Sequence, residues 1–247
     1  MVSVVVGGRG EPGRVVNGET AILPDPLHFS VPEYHRGMTP SPYSDQQIKL
    51  QLRAEIAVLA ARLIAQDGAD YDLAKRKAAH QVLQDDVVPA NLLPDNIEIE
   101  AEVRKYQALF LGDSQPARLL QLRELAAQVM QQLEQFRPYL TGAVLNGTAG
   151  AHDDIHLQLF ADSAKDVIMF LLDRDVPLDI GEAPHFKGGR HDPVETVSFH
   201  WKKQQVHAEL YEMNDLRGAL KPRADGTPHR ADLAAVRALI AADLPPA

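Results

Sequence analysis

At Pro138 the spacing of apolar residues changes, and that change constrains the fold of this chain more than any other feature. Upstream, apolar residues recur every three or four positions; downstream they alternate with polar ones. A period near 3.6 gathers residues on one face of a helix, and a period of two gathers them on one face of a strand. From Ser44 to Arg137 the stripes run Leu52, Ile56, Leu59, Leu63, then Ile99, Val103, Tyr106, Phe110, then Leu122, Leu125, Val129, Leu133, Phe136. Ser44 with Gln47, and Asp95 with Glu98, have the spacing of capping boxes. Asp70 precedes a short basic helix around Leu73 to His80, and Pro116 suits the first turn of the last long helix. Such narrow stripes predict helices packed on one another.

Beyond Pro138, the run Leu140-Thr141-Gly142-Ala143-Val144-Leu145-Asn146-Gly147-Thr148-Ala149 reads as a short strand, a glycine turn and half a helix. Asp154, His156 and Gln158 then alternate with Ile155, Leu157 and Leu159, the pattern of a half-buried strand. Ser163 with Asp166 caps a helix through Val167 and Leu171. Three strands follow, at Leu178 to Ala183, Val194 to Trp201 and Gln205 to Met213. A hairpin turn at Lys202-Lys203 sets Ser198 opposite His207 and Thr196 opposite Glu209. One hairpin face then carries Thr196, Ser198, His200, His207 and Glu209, and the other Val197, Phe199, Trp201, Val206, Ala208 and Leu210.

The expectation is an α+β fold: an N-terminal helical region, then a small mixed β-sheet with helices on one face. Its divisions are an irregular Gly- and Pro-rich leader at 1–43, helices at 44–137, the α/β domain at 138–221, and a polar tail at 222–247 with a short helix. Ordered patterning begins just after Met38, which makes that residue a candidate start.

Composition removes several functions. A net charge of -9 argues against broad nucleic-acid binding, and the run Lys75-Arg76-Lys77 reads as a solvated helix face. With no cysteine there is no thiolate nucleophile and no cysteine zinc site. No stretch approaches the roughly 20 apolar residues of a membrane span, so a cytoplasmic protein is expected. No Gly-Lys-Ser/Thr phosphate loop occurs.

The glycine turn followed by Asp153-Asp154-Ile155-His156 resembles the core of the polymerase-beta-type nucleotidyltransferase superfamily, over roughly Leu140 to Leu216. Members carry Gly-Ser near a helix start, then a strand bearing Asp-x-Asp, with a third carboxylate on a later strand. Here Ala143 stands at the serine position and His156 at the second aspartate position, while Asp154 matches the first aspartate and Glu209 is the candidate third carboxylate. The resemblance implies Mg2+ or Mn2+ at Asp154, His156 and Glu209, with His207 a further candidate ligand. It also implies phosphate contacts at Gly142, Ala143, Gly147 and Thr148. With the serine and the second aspartate gone, it implies a pseudoenzyme that binds a nucleotide or anion and acts through a protein partner. The alternatives are an active metal-dependent enzyme, using Asp154 and Glu209 on a protein, small-molecule or RNA acceptor, and a purely structural interaction protein.

A separate metal reading draws on His152, His156, His185, His191, His200 and His207: two imidazoles, His156 and His207, with Asp154 or Glu209 would suit Zn2+ or Mn2+. The stretch from Asp67 to Ala79 is similar to short proteobacterial proteins, some labelled UDP-N-acetylmuramate–alanine ligase. That label gains no chemical support, since such a ligase carries a phosphate loop and a far longer chain.

Overall fold

Helices give way to strands at Pro138, as the change of period requires. The structure is a computed structural model describing residues 42–84, 88–112, 114–217 and 223–244, with 42–44 described as backbone only. These residues belong to one unit, Ser41–Ala247. The expected leader, with Met38, lies outside the described residues up to position 41. Helix α1 (Pro42–Asp67) already includes Pro42 and Ser44, so Ser44 sits inside the helix rather than ahead of it.

Helices α2 (Tyr71–Leu83) and α3 (Asn96–Phe110) pack against α1. Asp70 caps α2 by accepting from the Leu73 N–H, and Asp95 with Glu98 closes the capping box on α3. The shared core is built from small side chains: Ile56, Ala57, Ala60, Ala61 and Ile64 on α1, Ala74, Ala78 and Ala79 on α2, and Ile99 and Val103 on α3. The expected α1 stripe is displaced accordingly, with Leu52, Leu59 and Leu63 only half-buried. Alanine has so small a side chain that helices approach closely along it, so the alanine face becomes the seam. On α3 the stripe ends early, because Phe110 is 64% exposed.

Helix α4 (Gln115–Gln132) belongs to a different core. Its Leu119, Leu122, Ala126, Val129 and Met130 pack on the apolar face of a five-stranded sheet. That sheet contains β1 (Tyr139–Thr141), β2 (Ile155–Ala161), β3 (Leu178–Ala183), β4 (Val194–Trp201) and β5 (Gln204–Glu212), in the order β1-β2-β5-β4-β3. Only the β2–β5 pair is parallel. The β4–β5 hairpin turns at Lys202 and Lys203, both left-handed at φ 48° and 72°, as a two-residue turn requires. Its register sets Ser198 opposite His207 and Thr196 opposite Glu209, as the alternation predicted.

Between β1 and β2 lies the short helix α5 (Gly142–Asn146), and α6 (Ala164–Leu172) follows β2. The final helix, α7 (Leu233–Asp243), is part of the sheet core: Val236 is fully buried, and Ala231 bridges Leu140.

Candidate functional site

The glycine turn serves first as a joint between helices and sheet. Carbonyls of α5 and the residues after it receive a set of side-chain donors from α3 and α4. Arg123 donates to Val144 O at 3.1 Å and Leu145 O at 3.2 Å, and Arg104 to Asn146 O at 3.1 Å. Gln107 donates to Thr148 O at 2.6 Å, and Gln115 to Gly147 O and Ala149 O. Cations suit this negative end of a helix. The N–H groups of Gly147, Thr148 and Ala149 all turn to the carbonyl of Ala143, and the Thr148 hydroxyl bonds Asn146 Oδ1. Of the four residues expected to contact phosphate, Gly142 and Ala143 line a cleft, while Gly147 and Thr148 are committed to this joint.

On the polar face of the sheet, strand register aligns side chains in rows. One row reads Thr141, His156, His207, Ser198, Asp179; the next reads Tyr139, Gln158, Glu209, Thr196, Gly181. Asp154 stands just ahead of β2. Farther along the strands the face closes over Phe160, Tyr211 and Val194, beside which Arg230 lies 5.0 Å from the Phe160 ring centre. At the opposite end, residues between α1 and α2 come down beside the sheet. A cleft of about 370 Å3 forms there, walled by Asp70 and Tyr71 on one side and by Gly142, Asp154, His156 and Glu209 on the other. That volume is in the range of small-molecule sites. Gly142 is left-handed at φ +69°, and a Cβ on it would lie 3.7 Å from the His156 Cβ, so glycine there both makes the turn and keeps the cleft wall thin.

Asp154 and His207 are joined: His207 Nε2 is 3.2 Å from Asp154 Oδ2, and His207 Nδ1 is 2.8 Å from Ser198 Oγ. A carboxylate only accepts hydrogen bonds, so in the neutral imidazole Nε2 carries the proton and Nδ1 accepts from the serine hydroxyl. Asp154 Oδ1 accepts from Gln204 Nε2 at 3.0 Å. The Gln204 amide is oriented by Arg118, which donates to its Oε1 at 2.6 Å. Glu209 has separate partners, Tyr211 OH at 2.7 Å and Gln158 Nε2 at 3.2 Å. Burial first, and then the bond to Glu209, push the Tyr211 hydroxyl above the usual phenol range.

His156 stacks on His207 with ring centres 5.1 Å apart. It keeps solvent access, yet desolvation in the cleft lowers its pKa from the ordinary 6.5, and repulsion from His207 adds to the effect. Asp154 and Glu209 pull the other way without reversing it. Desolvation therefore favours the neutral imidazole at His156.

The residues present do not form a resident metal site. Asp154 and Glu209 are held by different partners and His156 brings no charge for a hard cation. Among the described residues no group of three or more His, Asp and Glu side chains is placed to hold an ion. The six histidines also divide: His185 and His191 stack together in another cluster, where His185 Nε2 lies 3.4 Å from Asp215 Oδ2.

No protein-family model matches the chain, and no curated protein or solved structure matches it.

Sequence pattern placed Asp154, His156, His207 and Glu209 on one polar surface, which the structure brings together. It did not single out Gln204, Gln158, Tyr211 or Arg118 as part of the site. Arg118 lies 86 positions from Gln204, and no local spacing signals such a contact.

Proposed function

We propose that the chain is a nucleotidyltransferase-like binding protein whose cleft takes a nucleotide without transferring it. The observation supporting this reading is the cleft itself, where the Thr141-Gly142-Ala143 turn, Asp154, His156 and Glu209 meet under the α1–α2 connection. Charge then sets the form of the ligand. The lining holds the carboxylates of Asp70, Asp153, Asp154 and Glu209 and no Lys or Arg, so a bare triphosphate is repelled. A nucleotide already complexed with a divalent cation presents a far smaller net charge and is the species expected to bind. A cytoplasmic setting, where such complexes are plentiful, belongs to the same proposal.

Calorimetric titration with ATP and GTP, with and without Mg2+, tests it. Binding is expected with Mg2+, lost in its absence and weakened at least tenfold in Asp154→Asn. Binding that ignores the metal would overturn the charge argument. No heat from a folded sample would overturn the nucleotide reading.

A protein-partner role draws on a different observation. Leu109 and Phe110 at the end of α3 are 77% and 64% exposed, and Leu50 and Val58 on α1 are also uncovered. Isolated exposed leucines are ordinary, but adjacent large apolar residues at a helix end suit a contact surface.

A further inference from the structure

We propose that Asp154, His207 and Ser198 form an acyl-transfer relay on the open polar face of the sheet, with Ser198 as nucleophile toward small activated esters. Nucleophile and base lie 2.8 Å apart, and base and orienting carboxylate 3.2 Å apart, both within the reach such a relay requires. With His207 as the neutral imidazole, Asp154 can only accept from Nε2–H, so Nδ1 presents its lone pair to the serine hydroxyl. In serine proteases Nδ1 faces the carboxylate and Nε2 the serine. Here the ring is reversed, and a neutral imidazole offers one N–H and one lone pair in either direction.

The relay is braced from behind. Arg118 fixes the Gln204 amide, Gln204 is buried and donates to Asp154 Oδ1, and Asp154 Oδ2 is thereby directed to His207. Gln204 opens β5 opposite Trp201, and its amide also donates to Asp153 O at 3.2 Å. Access is open on the side of the edge strand. Ser198 is only half-buried, Asp179 opposite it is exposed, and Gly181 puts no side chain over Thr196, 3.1 Å from where a Cβ would stand.

The step balances within the relay. Ser198 Oγ forms a bond to the ester carbonyl carbon as its proton moves to His207 Nδ1. The ester C–O bond then breaks, the leaving alcohol takes that electron pair, and the proton on His207 passes to it. Water, deprotonated by the same nitrogen, then attacks the acyl carbon; the acyl–Oγ bond breaks, Ser198 Oγ keeps that electron pair and takes the proton back from His207, and the acid departs. Backbone N–H groups of β4 and β5 around Ser198 are engaged in the ladder, so stabilisation of the oxyanion is weak. This restricts the substrate class to esters with good leaving groups, such as aryl esters.

Full-length protein is incubated with a fluorophosphonate probe, and the adduct is mapped by mass spectrometry; hydrolysis of p-nitrophenyl acetate is followed in parallel. The expected result is an adduct on Ser198 and a hydrolysis rate that Ser198→Ala and His207→Gln lower by about 100-fold, the lower end of general-base contributions. An unmodified Ser198 in wild-type protein with native circular dichroism overturns the proposal whatever the variants do. Hydrolysis unchanged in a folded Ser198→Ala overturns it as well. Adduct formation needs no nucleotide and nucleotide binding needs no adduct, so either reading can fail alone.

Discussion

His156 lies between a stacked imidazole and two carboxylates, and desolvation decides its protonation. A depressed pKa means that the folded chain binds less proton than the unfolded chain between the folded value and 6.5. Unfolding therefore takes up a proton in that window, and stability rises with pH through it, levelling above about 6.5. The urea midpoint is expected to increase from pH 5 to pH 7, with part of that slope missing in His156→Gln. An unchanged slope in the variant would remove His156 from the account. At the same scale, Asp154 accepts from both Gln204 and His207, so Asn, with a single acceptor oxygen, would satisfy only one of those two donors whichever way its amide turns.

The β4–β5 hairpin places the polar rows, and its turn carries a local conflict. Both turn residues are lysines in the left-handed region, where a side chain costs about 1 kcal/mol relative to glycine. Among the described residues, Lys203, at φ 72°, has no polar side-chain contact, whereas Lys202 donates to Gln128 at 2.7 Å. Lys203→Gly is expected to stabilise the protein by about 0.5 kcal/mol after the added freedom of the unfolded chain is deducted, read as a higher urea midpoint at constant slope. A lower midpoint would show that the lysine makes a contact that offsets its strain. The hairpin was readable because alternation, turn residues and length agree over β4 and β5. The joint at α5 was not, because its donors Arg104, Gln107, Gln115 and Arg123 lie on helices 21 to 42 positions away.

At the largest scale, among the described residues, the α1–α3 core and the core under the sheet are joined by hydrogen bonds at α5. The α1–α3 core and the sheet core are separate clusters, and α3 and α4 reach α5 with buried or half-buried polar side chains. Arg123 also pairs with Asp243 at 2.6 Å, which ties the end of α7 to the same joint. The C-terminal helix therefore completes the core that supports the polar face. Val236→Asp puts an unpaired carboxylate at a fully buried position, and a loss of at least about 4 kcal/mol is expected, with the cooperative thermal transition abolished or lowered by more than about 10 °C. A transition within a few degrees of wild type would mean that α7 is dispensable to the sheet.

The sequence by itself determined what depends on neighbours in the chain. Periodicity distinguished helices from strands at Pro138, caps at Asp95 and Ser163 marked helix starts, and alternation with the Lys202-Lys203 turn fixed the pairing of Ser198 with His207. Tertiary structure alone decided what depends on distant residues. It turned Gly147 and Thr148 toward a structural joint, moved the α1 seam onto alanines and brought α7 into the core. It also gave Asp154 and Glu209 different partners. The physical reason is that backbone propensity acts within a turn or two. The orientation of a buried polar side chain is settled by which donors and acceptors remain unsatisfied once the elements have packed.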